Sequence, residues 1–176
     1  MFDRFFCILK VKNHLENKPK ILNTFQHFNR QYNQYNNENA DDEISFISNT
    51  DWEMNTINWY DFSLSNEDKE RYQKLVQKKF SKKVIISKTW FNQYYPNSGA
   101  EHPFHTHKYC NLSNVYVVEG SKQVRTVLKC PKTGKEITPR VNEGEILIFP
   151  SNILHKSPKN FTNKRKTVIS FNSMFN

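Results

Sequence analysis

Glycine, paired cysteines and long apolar runs are all scarce in this chain. It has only four glycines in 176 residues, so tight turns must rely on Asn and Asp, which tolerate turn conformations. The three cysteines, Cys7, Cys110 and Cys130, are odd in number and fit no zinc-module spacing, so we expect reduced thiols and a cytoplasmic protein. The apolar run 5–9 is too short for a signal peptide or a membrane span, and it predicts a first strand over 4–11.

Acidic residues are also in the minority. Asp and Glu number 17 against 26 Lys and Arg, which gives a net charge of +9. A surface of this charge can meet nucleic acid or another anionic partner, or it can simply be solvated. The basic runs 78–83 and 159–166 flank predicted elements and form no single helical stripe, which favours a solvated surface. We expect no membrane association, and an anionic partner stays open.

The N-terminal part contains two helix signals. Apolar residues at helical spacing predict a helix over 18–36 with one apolar face, formed by Ile21, Phe25, Phe28, Tyr32 and Tyr35. Ser65, followed three residues later by Asp68, predicts the start of a second helix whose inward residues are Tyr72, Leu75 and Val76. The segment 47–52 has little periodicity, and we expect a loop there.

From residue 83 onward the chain changes to short β-rich runs. Turn signals separate predicted strands at 83–95, 113–119, 122–129, 135–141, 144–149 and 166–173. Many short strands at this spacing predict a sandwich or barrel. We therefore divide the chain into 1–82, a strand and helices that pack on the barrel, and 83–176, the β-rich core. The two parts together are expected to form one compact domain.

Two histidines in the segment 101–107 are the first candidates for chemistry. In a strand, residues i and i+2 point to the same face, so His105 and His107 would present two imidazoles side by side. That arrangement suits two adjacent positions on one metal ion. A His-x-His pair alone is weak evidence, because paired histidines are common in cores and on surfaces.

Glycine and proline signals around that pair strengthen the metal interpretation. Gly99 stands six residues before the first histidine. Farther along, Gly144 opens a predicted strand that ends at Pro150, and His155 follows five residues later. This order resembles the two-part cupin signature, in which the third ligand comes from an opposite strand. The pattern predicts one metal ion held by three histidines.

A more specific resemblance covers roughly 85–176 and rests on five motifs in order, at 90–95, 105–107, 112–118, 144–155 and 165–172. Together they resemble the 2-oxoglutarate and Fe(II)-dependent oxygenases of the prolyl-hydroxylase-like group. They are most similar to small members often encoded by tailed bacteriophages, which would place the protein in a host cytoplasm. The resemblance implies a mainly β fold with N-terminal helices, built on a double-stranded β-helix (jelly-roll) barrel. It also implies a hydroxylase that uses Fe(II) and the cosubstrate 2-oxoglutarate.

The same resemblance assigns roles to particular residues. His105 and His107 occupy the positions of the proximal metal ligands, and His155 that of the distal ligand. A basic residue about ten positions past the distal histidine binds the far carboxylate of 2-oxoglutarate. Arg165 and Lys166 both fit this role. Arginine binds carboxylates in the bidentate mode, which slightly favours Arg165, whereas aligning the shared Ser-Phe-Asn motif favours Lys166.

Tyrosines near the ligands are also expected to contribute. The tyrosine on the strand after the ligand pair often adds a hydrogen bond to the far carboxylate, and in this chain it is Tyr116. Tyr94 or Tyr95 is expected to line the same cavity.

One departure from the family pattern affects the cosubstrate. The usual second ligand is Asp or Glu, and this chain has His107. Three neutral imidazoles do not lower the charge of the site as a carboxylate does. Three-histidine iron sites occur in cupin thiol dioxygenases, which use no 2-oxoglutarate. The alternatives are therefore a three-histidine cupin metalloenzyme without 2-oxoglutarate, or a non-catalytic jelly-roll binding or assembly module.

The remaining histidines and tryptophans are assigned structural roles. Strand parity puts His102 on the face opposite His105, as a surface residue or a support for the ligands. His14 and His27 are expected to be structural or exposed. The three tryptophans are expected in the core: Trp52, Trp59 and Trp90. The substrate stays open among a small molecule, a peptide side chain and a nucleobase.

Overall fold

Antiparallel strands make up most of the molecule. The computed structural model describes residues 5–35, 47–52 and 57–176, with side chains of the first helix described up to residue 26. The strands are β1 (Cys7–Lys10), β2 (Asn49–Thr50), β3 (Val84–Tyr94), β4 (His102–His105), β5 (Leu112–Glu119), β6 (Val127–Lys129), β7 (Glu136–Ile137), β8 (Glu145–Pro150), β9 (His155–Ser157) and β10 (Lys166–Phe175). They form a six-stranded sheet in the order β1-β8-β5-β10-β3-β2 and a four-stranded sheet in the order β4-β9-β6-β7.

Helices cover one face of the larger sheet in the described segments. They are α1 (His14–Tyr35), α2 (Trp59–Ser63) and α3 (Asn66–Phe80). Phe25 of α1 packs between Trp59 of α2 and Phe91 of β3, with ring centroids 4.7 and 4.2 Å away. These aromatic rings are fully buried and anchor the helices to the sheet. No helix in the described segments has the length and apolar character needed to cross a bilayer.

Both helix predictions are confirmed, with one shift of boundary. The first helix starts four residues before the predicted position 18, and Pro19 lies inside it. The buried side chains of Ile21 and Phe25 confirm the apolar face. The other predicted members of that face, and the expectation for His27, lie outside the described side chains. The second helix is capped as predicted, because the Ser65 hydroxyl accepts a hydrogen bond from the backbone N–H of Asp68.

The segment 1–82 also supplies strands to the larger sheet. β1 pairs with β8, so the predicted first strand is an edge strand of that sheet. The expected loop at 47–52 contains β2, in which Asn49 lies opposite Gln93 of β3. A strand of two residues is too short to show a period-2 pattern, so the sequence did not predict it. The division at residue 82 stays a prediction.

Apart from β1, the strand predictions are right for the long strands and wrong for the short ones. β3, β5, β8 and β10 lie where they were predicted. The predicted strand 122–129 begins instead as a 3₁₀ turn at Lys122–Val124, and only Val127–Lys129 is extended. Within the predicted strand 135–141, only Glu136–Ile137 is extended. β4 and β9, which carry two of the three histidines, have four and three residues and gave no alternation signal.

Gly144 has two structural reasons to be glycine. Its φ is +82°, a left-handed conformation that side chains disfavour. A Cβ atom there would also lie 3.0 Å from the imidazole ring of His14. The glycine of the cupin-like motif therefore lets the chain turn tightly into β8 beside α1.

Candidate metal centre

Three imidazoles converge between the two sheets. The candidate ligand atoms of His105, His107 and His155 all lie within 4.8 Å of one another. The Nε2 atoms of His107 and His155 are 3.3 Å apart, and the ring centroids of His105 and His155 are 4.1 Å apart. Such a group presents three nitrogen donors to a single point, which is the arrangement a metal ion requires.

The backbone positions each ring by a different device. His105 is the last residue of β4 and lies opposite His155, the first residue of β9. His107 lies beyond the end of β4, so the prediction that both proximal histidines share one strand is wrong. Its backbone N–H donates to the carbonyl oxygen of Ser151, 3.1 Å away, which holds the loop against the turn before β9.

Backbone carbonyls select the tautomers of two rings. His105 Nδ1 lies 2.7 Å from the Pro103 carbonyl oxygen, and His155 Nδ1 lies 3.1 Å from the Ile153 carbonyl oxygen. A carbonyl oxygen only accepts, so Nδ1 must carry the proton in both rings. The lone pair then resides on Nε2, the atom through which each ring would bind a metal. Metal-binding histidines are commonly oriented in this way.

Burial keeps the site neutral. Burial, together with smaller contributions from nearby His105 and Lys88, lowers the pKa of His107 to about 4. Burial also lowers the pKa of His155 well below its ordinary value, with neighbouring His105 and His107 acting in the same direction. These imidazoles are therefore unprotonated at pH 7, and the neutral form is the one that coordinates metals.

His102 is a fourth imidazole in the same cavity. The prediction that it faces away from His105 is wrong, because the two rings stack at a centroid distance of 3.7 Å and an interplanar angle of 17°. The β4–β9 pairing shifts register between these two residues, so simple strand parity fails there. Burial lowers the pKa of His102 to about 3. The His102 ring packs against one face of the His105 ring.

The two candidate basic residues point in opposite directions. Arg165 donates from Nε to Glu119, 2.5 Å away, at the partly exposed edge of the barrel. Lys166 is 3 % exposed and lines the histidine cavity, where its Nζ donates to the Ser157 hydroxyl, 2.7 Å away. The slight preference for Arg165 as the inward residue is therefore wrong. Burial lowers the pKa of Lys166 to about 7.

The candidate tyrosines Tyr116 and Tyr94 likewise lie on opposite faces of the larger sheet. Tyr116 points away from the cavity into the helix-facing core, where its hydroxyl lies 2.8 Å from His14 Nδ1. The expectation that Tyr116 faces the metal cavity is wrong, since the alternating residues Ser113 and Val115 line it instead. Tyr94 lines the cavity, and the Lys166 ammonium lies 5.2 Å from its ring centroid. Of Tyr94 and Tyr95, Tyr94 is therefore the residue that lines the histidine cavity.

Two tryptophans form the mouth of the cavity beside His107. Trp90 and Trp52 contact each other edge to face at 4.4 Å, and their rings lie 5.5 and 6.0 Å from the His107 ring. Trp59 and Trp90 are buried as expected, at 0 and 3 % exposure, although Trp90 also lines the cavity. Trp52 is only half-buried, so the expectation is wrong for that residue. Lys88 places its Nζ 3.7 Å from the Trp52 ring centroid. The mouth is therefore aromatic with a positive charge at its edge.

No protein-family model and no curated protein matches the sequence of this chain. Solved structures do match its fold. AviO1 from Streptomyces viridochromogenes Tue57 superposes with a TM-score of 0.64 at 12 % identity, covering 97 % of this chain and 89 % of that one. The fold is the double-stranded β-helix. At such low identity, the likeness establishes the fold and leaves the activity to be argued from the site.

Two further matches are prolyl hydroxylases. The viral collagen prolyl hydroxylase vCPH from Paramecium bursaria Chlorella virus-1, solved with 2-oxoglutarate, gives a TM-score of 0.59 at 11 % identity, with 96 % and 95 % of the two chains covered. A prolyl hydroxylase from Trichoplax adhaerens gives 0.57 at 14 % identity, with 96 % and 83 % covered. The sequence resemblance and the structural likeness thus point to the same fold.

Proposed function

We propose that this protein is a hydroxylase that depends on Fe(II) and 2-oxoglutarate. His105, His107 and His155 would hold the iron. Three protein ligands on one side of an ion leave positions open for a cosubstrate and oxygen, and bound iron supplies the oxygen-activating chemistry. The neutral, preoriented nitrogen donors fit a divalent cation.

The observation that carries the 2-oxoglutarate part is the buried ammonium of Lys166. Among the described residues it contacts a hydroxyl and no carboxylate. Its lowered pKa reflects the cost of placing a positive charge in a dry cavity without a counter-ion. A carboxylate reaching from the metal would supply that counter-ion. Ser157 and Tyr94 lie close enough to add hydrogen bonds to it.

The protein's own contribution is binding, orientation and exclusion of water. Lys166 and Ser157 would fix the far end of the cosubstrate, so its other end meets the metal in one orientation. The close packing of the imidazoles with Trp90 limits water around His107. The mouth beside Trp52 would then admit the substrate from the side away from Lys166.

An anaerobic titration tests this proposal. Fe(II)-loaded wild type should develop a visible charge-transfer band with 2-oxoglutarate. Lys166→Met should weaken 2-oxoglutarate binding by roughly 30-fold or more, because a buried charge-assisted contact is typically worth about 2–5 kcal/mol. Arg165→Met is the matched control and should bind the cosubstrate like wild type. Succinate formation in air would then show turnover.

The alternatives give different outcomes in the same experiment. Iron binding without a band would indicate a three-histidine metalloenzyme that does not use 2-oxoglutarate, as the absence of a carboxylate ligand allows. A protein that binds no iron would be a jelly-roll binding or assembly module. Both results would contradict the proposed function.

We further propose a reducing, cytoplasmic setting and an anionic partner. The three cysteines are free thiols, and burial raises the pKa of the Cys7 thiol to about 11, which keeps it unreactive. The net charge of +9 supports an anionic partner. The similarity to phage-encoded members stays a prediction from sequence. Cell fractionation with the native chain would test the location.

A further inference from the structure

Unpartnered polar atoms are concentrated in the histidine cavity. Among the described residues, the buried side-chain atoms without a hydrogen-bond partner are Asn92 Oδ1, Ser113 Oγ and Asn172 Oδ1. All three residues line that cavity, and each is at most 7 % exposed. A buried polar atom without a partner destabilises a protein, so native structures contain few of them. Their collection in one place indicates that something else binds there.

Two of these residues face each other across neighbouring strands. Asn172 of β10 lies directly opposite Ser113 of β5 in the antiparallel pairing. Asn92 is different, since its side chain contacts the Tyr94 hydroxyl near Lys166. We therefore assign Asn92 to the cosubstrate end and treat Ser113 with Asn172 as a separate pair.

Distance separates this pair from the cosubstrate anchor. Lys166 and Asn172 are the first and seventh residues of β10. Six residues of extended strand span about 20 Å, of which the lysine side chain covers only part. A five-carbon dicarboxylate held by Lys166 and the metal cannot also reach the pair. Ser113 and Asn172 thus lie at the opposite end of the same cavity.

Polar side chains on the other face of the same two strands have hydrogen-bond partners. Asn114 and Ser173 occupy the same two strands but point to the helix side. The Asn114 amide donates to the Phe171 carbonyl and to the Ser173 hydroxyl, both at 2.8 Å, and its oxygen accepts from Tyr72 at 3.1 Å. Asn and Ser side chains thus have their hydrogen bonds on the helix face, whereas on the cavity face Asn172 Oδ1 and Ser113 Oγ have none.

The unpaired atoms specify the chemistry of the ligand group. Asn172 Oδ1 can only accept, so its partner must carry an N–H or O–H group. The cavity is lined by no Asp or Glu among the described residues, and it contains the Lys166 amine, so it gives a cationic group no counter-charge. A carboxylate has no proton to donate at pH 7. The matching group is therefore neutral and donates hydrogen bonds.

We propose that Ser113 and Asn172 form a substrate subsite for a neutral hydrogen-bond donor, such as a carboxamide or an alcohol. This inference rests on the proposed function, because it assumes that the metal acts on a substrate in this cavity. The substrate would enter past Trp52 and Trp90 and place its donor group between the two side chains. Positioning by this pair would present a neighbouring carbon to the metal.

Thermal unfolding of the apo protein tests the first consequence. Ser113→Ala and Asn172→Leu remove unpaired atoms, so each should raise the melting temperature by about 2–4 °C. The matched controls Ser173→Ala and Asn114→Leu break existing bonds and should lower it by about 5 °C or more. A fall for both cavity variants would mean that the pair has a structural role, and would overturn the inference.

Paramagnetic relaxation tests the second consequence without requiring turnover. Mn(II) and 2-oxoglutarate are bound to the protein, and the methyl-proton relaxation of added acetamide or ethanol is measured. The Ser113→Ala/Asn172→Leu double variant should reduce the relaxation enhancement at least about fivefold, since hydrogen bonds in a dry site are worth about that factor or more. N,N-dimethylacetamide, which has no donor, should show little enhancement in either protein.

The remaining outcomes separate this inference from the proposed function. Mn(II) and 2-oxoglutarate affinities should stay within twofold of wild type in the double variant. A weaker 2-oxoglutarate affinity would show that the pair belongs to the cosubstrate site. Equal enhancement in wild type and variant, or for the donor-free amide, would mean that only water or non-specific contacts occupy the pair. Failure of wild type to bind Mn(II) would overturn the proposed function, and the inference with it.

Discussion

Successive residues of β5 and β10 point to opposite faces of the larger sheet, and the two faces differ in how their polar groups are treated. On the helix side, Tyr116 contacts His14 at 2.8 Å, and Tyr72 contacts Ser173 at 2.7 Å. On the cavity side, Lys166 is buried, and within the described ranges the hydrogen-bond partner of its amine is the Ser157 hydroxyl. On the helix side these polar groups are bonded within the fold, whereas the cavity side carries the unpartnered atoms of Asn92, Ser113 and Asn172 among the described residues.

Polar residues on the helix face thus stabilise the fold, whereas unpartnered polar residues on the cavity face are retained at a cost to stability. Buried polar groups on the helix side repay their desolvation through hydrogen bonds. Asn92, Ser113 and Asn172 on the cavity side each keep one atom without such a bond, and a stability optimum alone would replace them with apolar residues. Substitutions on the two faces should therefore have opposite effects on stability and on binding.

Removing a central imidazole should cause the largest loss. His155→Ala should weaken Mn(II) or Co(II) binding by at least about 100-fold, since it removes one of three protein ligands and not merely a supporting group. His155 is buried and faces both other ligands. Isothermal titration with either metal measures this.

His102→Phe is the matched control for that substitution. It keeps an aromatic ring stacked on His105 and removes only nitrogen atoms. Metal affinity should change less than about tenfold, the lower range for groups that support ligands. If it lost affinity as completely as His155→Ala, His102 would be a ligand and the three-histidine site would be wrong.

Lys166→Met should stabilise the protein while it abolishes the cosubstrate anchor. The folded pKa of about 7 lies below the ordinary value of 10.5, so between these values the unfolded chain binds more protons than the folded one. The free energy of unfolding of wild type should therefore rise as pH increases from 7 to 10.5. The variant should lack this rise and be more stable near neutral pH by about 1–4 kcal/mol.

Urea unfolding at pH 6.5, 8 and 10 in the absence of metal measures the effect. Arg165→Met controls for the loss of a positive charge from the same strand end. A variant that is less stable than wild type at pH 6.5 would show that the Lys166–Ser157 contact stabilises the fold, and the contrast between the two faces would fail at this residue.

Asp51 allows a smaller test on the packed side. Its carboxylate accepts from the Phe91 backbone N–H at 2.7 Å and from Trp59 Nε1 at 2.5 Å. Asp51→Asn keeps the size of the side chain, but it replaces one acceptor oxygen by an NH2 group that faces a donor N–H. The loss should be about 1–3 kcal/mol in the free energy of unfolding, because a buried N–H is left without an acceptor. Guanidinium unfolding monitored by tryptophan fluorescence would record it, and an unchanged midpoint would contradict it.

The sequence predicts the histidine site better than it predicts which side chains surround it. His105, His107 and His155 come together as expected because their motifs follow one another in a fixed order. The resemblance also gave the right fold class, which the structural matches support. These features depend on residue identity and spacing along the chain, both of which can be read from a single sequence.

The facing of individual residues could not be predicted, because it depends on strand register. A shift of one residue moves a side chain to the opposite face of a sheet. β10 shifts register against β5 between Thr167 and Val168, next to the uncertain pair at 165–166. A second irregularity lies between His102 and His105. Two of the errors about the cavity wall, those at Arg165 and His102, lie beside these irregularities.

Arg165→Met should produce the smallest effect. The Arg165 guanidinium pairs with Glu119 at the edge of the barrel, with 30 % and 17 % of the two side chains exposed. Partly exposed ion pairs contribute about 0–1 kcal/mol, because water screens the charges and ordering the side chains costs entropy. Glu119 also keeps its hydrogen bond from the Thr167 hydroxyl at 2.7 Å, so it is not left without a partner. We expect a shift of at most about 1 kcal/mol in unfolding free energy and an unchanged affinity for 2-oxoglutarate. A large loss of cosubstrate binding in this variant, with Lys166→Met unaffected, would reverse the assignment of the inward residue and put the register of β10 in question.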